Sequence, residues 1–138
     1  MVTVIKTSEV QRLDRGGSVS TLPLITRSSA REQVVLTSGI STYPVGGGAP
    51  MHSHNCVEQV TLLSGVGEVV IDGEVTALEP YDTTYVEAGI PHLFRNTGNE
   101  PMTILWVYDT GRVTRTFTAT GRTVEHLTAE DRMSDDEA

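Results

Sequence analysis

Residues 46–65 read GGGAPMHSHNCVEQVTLLSG, and two histidines and a glutamate in this stretch constrain how the chain folds. His52 and His54 stand two positions apart, so on a β-strand their side chains point to the same face, about 7 Å from each other. Glu58 has the same parity, but a straight strand would place it about 13 Å beyond His54. We therefore predict that residues 55–57 form a turn, with Glu58 on the returning strand beside the two histidines.

A third histidine lies well beyond this stretch. His92 follows Glu58 by 34 positions, directly after residues 89–91, and has to reach the same place from a separate strand. Three imidazole nitrogens and one carboxylate suit a divalent transition metal and leave positions open on an octahedral ion, as in the two-histidine, one-carboxylate sites of non-haem iron enzymes. His52, His54, Glu58 and His92 are therefore candidate ligands of one metal ion.

The rest of the chain has the pattern of an all-β domain. Short runs rich in β-branched residues recur between turn signals, without long amphipathic helices between them. The predicted strands are 34–37, 57–63, 66–71, 83–86, 103–108 and 113–118, the last at a sheet edge or a subunit contact. Residues 71–74 predict a type I′ hairpin turn, because Asp72 and Gly73 at its centre tolerate positive φ angles. Within 7–17 we predict one helical turn at most, capped by Ser8.

These residues resemble the two sequence motifs of the cupin family. The first motif, G-x5-H-x-H-x3,4-E-x6-G, is met at every fixed position from Gly46 to Gly65. The second motif is G-x5-P-x-G-x2-H-x3-N. It is matched at Gly89, His92 and Asn96. Tyr81 and Glu87 stand where its first glycine and its proline usually are. Both departures lie in a turn and leave the ligand position unchanged.

The resemblance implies an all-β, double-stranded β-helix barrel (a jelly roll) with a metal inside one mouth. It also implies that His52, His54, Glu58 and His92 are the metal ligands, that the metal is Fe, Mn, Ni, Co, Cu or Zn, and that the protein is a homodimer. Cupins include dioxygenases, isomerases, polyketide cyclases, decarboxylases and lyases, together with proteins that only bind or sense a ligand. The fold therefore does not supply the reaction.

Composition narrows the classes of partner. The chain has 138 residues, a formal net charge of −8 and one lysine, Lys6, so it lacks the basic clusters that nucleic acids and anionic membranes attract. It contains one cysteine, no signal-peptide pattern and no apolar run of transmembrane length, which favours a cytoplasmic location. We expect a single domain over 1–138, with N-terminal strands in 1–45, the motif core in 46–96, late strands in 103–127 and a solvated acidic tail in 128–138.

Several side chains near the motifs have more than one reading. Cys56 is read as a small apolar residue near the site, with a redox or ligand role as the alternative. We expect Phe94 to face the metal, Arg95 to face away, Asn96 to anchor a hairpin and His126 to be exposed. The aromatic residues that either line a pocket or fill the core are Tyr81, Tyr85, Trp106 and Tyr108. Arg115 is read as a subunit contact or an exposed strand residue, with a clamp for a substrate carboxylate as the alternative.

Two functions are consistent with these observations. The first is a metal-dependent enzyme whose open metal positions accept the oxygens of a small organic substrate, for isomerase, cyclase, lyase or dioxygenase chemistry. The second is a non-catalytic, metal-containing protein that binds or senses a small molecule. No effector domain accompanies the predicted barrel within these 138 residues, which favours the enzyme.

Overall fold

The computed structural model describes residues 2–133, which form two six-stranded antiparallel sheets and one short 3₁₀ turn at Thr7–Glu9. The strands of the first sheet are β1 (Leu13–Asp14), β2 (Ser20–Pro23), β3 (Thr37–Tyr43), β5 (Glu58–Ser64), β8 (Thr83–Val86) and β10 (Met102–Tyr108). Those of the second are β4 (His52–His54), β6 (Gly67–Ile71), β7 (Glu74–Leu78), β9 (His92–Asn96), β11 (Thr114–Phe117) and β12 (Thr123–Glu125).

The strand order makes this fold a jelly roll. The first sheet runs β1-β2-β3-β10-β5-β8 and the second runs β12-β11-β4-β9-β6-β7, so strands that are distant in sequence become neighbours. The core lies between the two sheets, and β10 shows this clearly because Met102, Ile104, Trp106 and Tyr108 are buried in strict alternation. The predicted all-β jelly-roll barrel is confirmed. In the described part of the chain no helix is long and apolar enough to cross a membrane.

Two turns have positive φ angles that bear on the sequence predictions. Asp72 and Gly73 both have positive φ, at 50° and 84°, and Ile71 pairs with Glu74, so the predicted type I′ hairpin is confirmed. Tyr81 has a φ of 76° although it is not glycine. It therefore adopts the left-handed backbone for which the second motif normally uses glycine.

Three local predictions were wrong in detail. The strand predicted at 34–37 begins only at Thr37, because β3 finds its partner β10 from the Thr37–Tyr108 pair onward. The helical turn predicted in 7–17 is present as the single 3₁₀ turn, but Lys6 rather than Ser8 precedes it and no side chain caps it. The strand predicted at 113–118 is β11, which lies between β12 and β4 and is not at a sheet edge.

The acidic tail differs from the solvated segment that we predicted. Asp131 is 1% exposed and forms ion pairs with Arg15 and Arg115, while Met133 is also buried and its backbone N–H donates to the Arg15 carbonyl at 2.6 Å. Burial of a carboxylate is stable when charged partners replace the lost water, and the two arginines provide them. The acidic residues at 135–137 lie outside the described residues.

Gly39 is a point where the sheet has no space for a side chain. It pairs with Trp106 across β3 and β10, and a Cβ atom there would overlap the indole ring and lie 2.9 Å from the Leu22 carbonyl oxygen. We expect Gly39→Ala to lower the free energy of unfolding by about 1–3 kcal/mol, the usual cost of an overpacked core. Urea denaturation monitored by circular dichroism measures this change. A variant as stable as the wild type would contradict the packing described here.

Candidate metal centre

The two sheets together bring the four predicted ligands to one place. His52 and His54 lie on β4, and His92 lies on β9 as the partner of His52 in the strand register. Glu58 begins β5 in the opposite sheet, so residues 55–57 do form the predicted turn, but the turn crosses between the sheets instead of closing a hairpin. All four side chains are buried between the sheets, with at most 4% of any residue exposed.

The donor atoms of this group lie close together. One ligand atom from each of the four residues lies within 4.8 Å of the others. Glu58 reaches two histidines at once, with Oε2 at 3.4 Å from His54 Nε2 and Oε1 at 3.2 Å from His92 Nε2. Three nitrogens and one carboxylate at these separations form a group that could hold a metal ion.

Backbone carbonyls fix the orientation of each imidazole ring. His52 Nδ1 lies 2.6 Å from the Pro50 oxygen, His54 Nδ1 lies 3.0 Å from the Thr114 oxygen, and His92 Nδ1 lies 2.8 Å from the Ile90 oxygen. A carbonyl oxygen only accepts, so these contacts assign the proton to Nδ1. Each Nε2 lone pair is then directed into the group, the arrangement by which metal-binding histidines are usually oriented.

The charge balance of the group also fits a cation. Glu58 Oε1 and His92 Nε2 are buried without a hydrogen-bond partner among the described residues, although they face each other. Burial raises the pKa of Glu58, but His92 and His54 outweigh it and hold that pKa well below its usual value. One bound cation would satisfy both the buried Glu58 carboxylate and the inward lone pair of His92.

Hydrogen bonds from other loops hold the turn at 55–57. The Asn55 amide donates to the Arg112 carbonyl at 2.9 Å and accepts from the Thr114 N–H at 2.8 Å. The Val57 N–H donates to Asp109 Oδ1 at 2.9 Å. These contacts fix the crossing between the sheets, and with it the position of Glu58 opposite the histidines.

Three of the secondary predictions around the motifs agree with the structure. Phe94 is buried with its ring centroid 6.4 Å from that of His92, and Arg95 points outward to pair with Glu68 at 2.7 Å. Asn96 is a hairpin anchor: its amide donates to the carbonyls of Tyr43, Pro44 and Glu100, and its oxygen accepts from the Gly98 N–H.

The aromatic set divides into two halves. Tyr81 and Tyr85 are 78% and 67% exposed, so they line no interior pocket. Trp106 and Tyr108 are buried, and the Tyr108 hydroxyl lies 3.2 Å from His54 Nε2. Burial and the nearby Glu58 raise the pKa of Tyr108 well above its usual value, so this phenol keeps its proton at neutral pH.

Two predictions near the centre were wrong. Arg115 is neither exposed nor at a sheet edge: it is 2% exposed and stands opposite His54 in the β11–β4 register. His126 is half-buried, and its ring centroid lies 5.1 Å from both Trp106 and Tyr108. Strand parity carried the missed signal, since Arg115 has the same parity as the apolar Val113 and Phe117, and His126 follows Val124 by two positions.

A small cavity lies beside the four donors. Its volume is about 10 Å³, which is room for about one water molecule. The residues that line it are Arg15, Ser41, Tyr43, His52, Glu58, Phe94, Ile104, Trp106, Tyr108, Arg115, His126 and Met133. The interior around the candidate centre is thus partly polar and charged, and it is closed in this conformation.

Comparison with known families agrees with the geometry. The family model described as the cupin domain matches residues 39–108, which include the complete set of four donors. This chain belongs to the cupin family. A relative from Methanocaldococcus jannaschii, the uncharacterized protein MJ1618, is 35% identical over 63 residues, which cover 45% of this chain and 50% of that protein. The chain therefore spans about half the length of that curated relative.

Solved structures of other cupins share the fold at low sequence identity. A predicted oxalate decarboxylase from Thermotoga maritima has a TM-score of 0.68 at 23% identity, covering 78% of this chain and 99% of that one. The polyketide cyclase RemF from Streptomyces resistomycificus has a TM-score of 0.70 at 15% identity, covering 100% of this chain and 94% of that one. KdgF from Halomonas sp. has a TM-score of 0.66 at 15% identity, covering 79% and 94%. At these identities the likeness concerns the fold of this cupin, not its reaction.

Cys56 lies in the turn beside the centre, yet its thiol is poorly suited to chemistry. It is 6% exposed, and burial together with Asp109 raises its pKa to about 12. At pH 8 only about one thiol in 10⁴ would then be ionised, against about a quarter for an unperturbed thiol. We expect alkylation by iodoacetamide at pH 8 to be at least about a hundred times slower in the folded protein than in urea. Equal rates in the two states would restore the redox reading of Cys56.

Proposed function

We propose that this cupin binds one divalent transition metal through His52, His54, Glu58 and His92 and acts as an enzyme on a small oxygenated organic molecule. The metal would be Fe, Mn, Ni, Co, Cu or Zn, since the donors suit all six. The observation that carries the proposal is the orientation of the three imidazoles. Each Nδ1 contacts a backbone carbonyl, so three Nε2 lone pairs and the Glu58 carboxylate converge on one buried point.

A bound metal would supply Lewis-acid polarisation of substrate oxygens, or O₂ chemistry if the metal is iron. The residues of this chain would prepare the surroundings. Tyr108 stays protonated and presents a buried hydroxyl beside His54, where it can donate a hydrogen bond to a ligand oxygen. Phe94, Ile104 and Trp106 are apolar walls of the same cavity and exclude water from it.

The structural neighbours support an enzyme without choosing the reaction. The Thermotoga protein is described as a predicted oxalate decarboxylase and RemF as a polyketide cyclase, so similar barrels are associated with both decarboxylation and cyclisation. Isomerase, cyclase, lyase and dioxygenase chemistry all remain within the proposal. We also propose a homodimer, which the family resemblance implies and which light scattering on the purified protein would test.

A second function would use the same centre without a reaction. The cavity beside the donors holds about 10 Å³, less than any organic substrate needs. A metal-containing protein that binds or senses a small molecule without converting it needs the same space, so the cavity volume does not choose between the two functions. Turnover therefore distinguishes the two functions.

The ligand assignment predicts which histidines the metal needs. We expect the full-length protein to carry a near-stoichiometric transition metal by elemental analysis, and His54→Ala or His92→Ala to lose it while keeping the β-sheet circular dichroism spectrum. His126→Ala is the matched control, because His126 lies beside the centre but outside the donor group, and this variant should retain the metal. Wild-type protein that carries no metal and takes up no added Fe, Mn, Ni or Zn would overturn the proposal.

The enzyme and the binder differ in what happens to a bound ligand. With metal-loaded protein we expect at least one oxygenated organic acid, keto compound or catechol to be consumed, as followed by NMR of the reaction mixture. The reaction should stop in His54→Ala. Recovery of every bound compound unchanged, under air and without oxygen, would support the binding protein instead.

A further inference from the structure

Three charged side chains outside the donor group form a buried ion-pair cluster next to its cavity. Asp131 Oδ2 lies 2.6 Å from Arg15 Nη2, and Asp131 Oδ1 lies 3.0 Å from Arg115 Nε. These three residues are 1–3% exposed. Arg15 and Arg115 line the same small cavity as His52 and Glu58, so the ion-pair cluster and the candidate metal centre face one interior space.

The cluster has more positive than negative charge. Two guanidinium groups share one carboxylate, and a divalent ion at the donor group would add more positive charge than Glu58 can offset. Burial alone lowers the pKa of an arginine, but the Asp131 charge outweighs it and keeps Arg115 firmly protonated. A buried pair of guanidiniums of this kind favours a further anion in the cavity.

Arg115 is also poorly satisfied. Its Nη1 donates to the Met133 sulfur at 3.1 Å, which is a weak acceptor. Its Nε is close to Asp131 but makes no hydrogen bond there. The planar guanidinium group of arginine can donate two parallel hydrogen bonds to the two oxygens of a carboxylate. Arg115 does not make this paired contact with Asp131. A better-aligned carboxylate would therefore be a stronger partner for Arg115.

Asp131 lies on a segment that belongs to neither sheet. Residues 126–133 follow β12 and pair with no strand. Their hydrogen bonds include Leu127 N–H to Asp131 Oδ2 at 2.8 Å and Met133 N–H to the Arg15 carbonyl. His126 of this segment lines both the inner cavity and an open surface groove of about 340 Å³. Movement of the segment would join the groove to the candidate metal centre.

We propose that Arg15 and Arg115 are the binding site for a carboxylate group of the substrate, and that Asp131 occupies this site as an internal carboxylate until the substrate displaces it. The inference rests on the proposed function and narrows its substrate class to small organic acids. The acid would bind the two guanidiniums by its carboxylate and direct another oxygen toward the donor group. Displacement of Asp131 would release residues 126–133 and provide the space that the closed cavity lacks.

Acetate binding tests the site directly, with Asp131→Asn as the decisive variant. Asparagine keeps the shape of the side chain but competes less well for two guanidiniums. We expect calorimetry at constant ionic strength to give an acetate Kd about tenfold or more lower in D131N than in the wild type. Glu130→Gln makes the same charge change at an exposed neighbour and should behave as the wild type. Neutral acetamide should not bind, and adding Arg115→Gln to D131N should abolish the gain.

Hydrogen exchange gives a second readout that does not depend on folding of the variant. In wild-type protein, saturating acetate should speed exchange at the Leu127 and Met133 amides, whose partners are Asp131 and Arg15, and acetamide should not. Equal acetate affinity in D131N and wild type overturns the inference, as does a gain that survives Arg115→Gln. If D131N does not fold, unchanged exchange at these two amides in the wild type overturns it.

Metal content separates this inference from the proposed function. Acetate is titrated into metal-loaded and metal-depleted protein, and the metal is measured in the same samples. Protein that holds metal but shows no carboxylate site refutes the inference alone. Protein that never takes up metal refutes the proposed function, while the exchange measurement still decides whether Asp131 is displaceable.

Discussion

The contacts between three imidazole Nδ1 atoms and three backbone carbonyls are the interactions on which the centre depends. Two of them are local, since His52 reaches the carbonyl of Pro50 and His92 that of Ile90, each two positions back. The third, from His54 to Thr114, spans 60 positions and exists only because β11 pairs with β4. Two of the three ring orientations are thus built into short peptide segments, and the third requires the assembled sheet.

The packing of β10 then limits what the barrel can contain. Trp106 lies over Gly39, where no Cβ atom fits, and Tyr108 on the same face approaches His54. These aromatic side chains occupy the interior next to the donors, and the space left there is close to one water molecule. Space for an organic ligand in this barrel therefore has to come from the movement of neighbouring residues.

The sequence could predict what local patterns encode. The two motifs specify the four donors, Asp72-Gly73 specifies its hairpin, and strand parity separates Phe94 from Arg95. The sequence could not reveal the cluster of Arg15, Arg115 and Asp131. Arg15 and Asp131 are 116 positions apart, and no periodicity relates them. Charged residues near the end of a chain are usually solvated. That expectation is wrong for Asp131, because two buried guanidinium groups replace the water around its carboxylate.

The net charge of this cupin is negative, whereas two arginines line its interior cavity, and distance decides which of the two a ligand experiences. The chain has a net charge of −8, which repels an organic acid far from the surface. Salt screens that repulsion beyond about 8 Å at physiological ionic strength, so an anion near the groove responds mainly to nearby groups.

Arg27 and Arg112 line that groove, and both pair with Glu32. Further in, Arg15 and Arg115 share the single carboxylate of Asp131 in an environment that water hardly screens. Selection of an anion would thus strengthen with depth, and its last step is the exchange of one carboxylate for another.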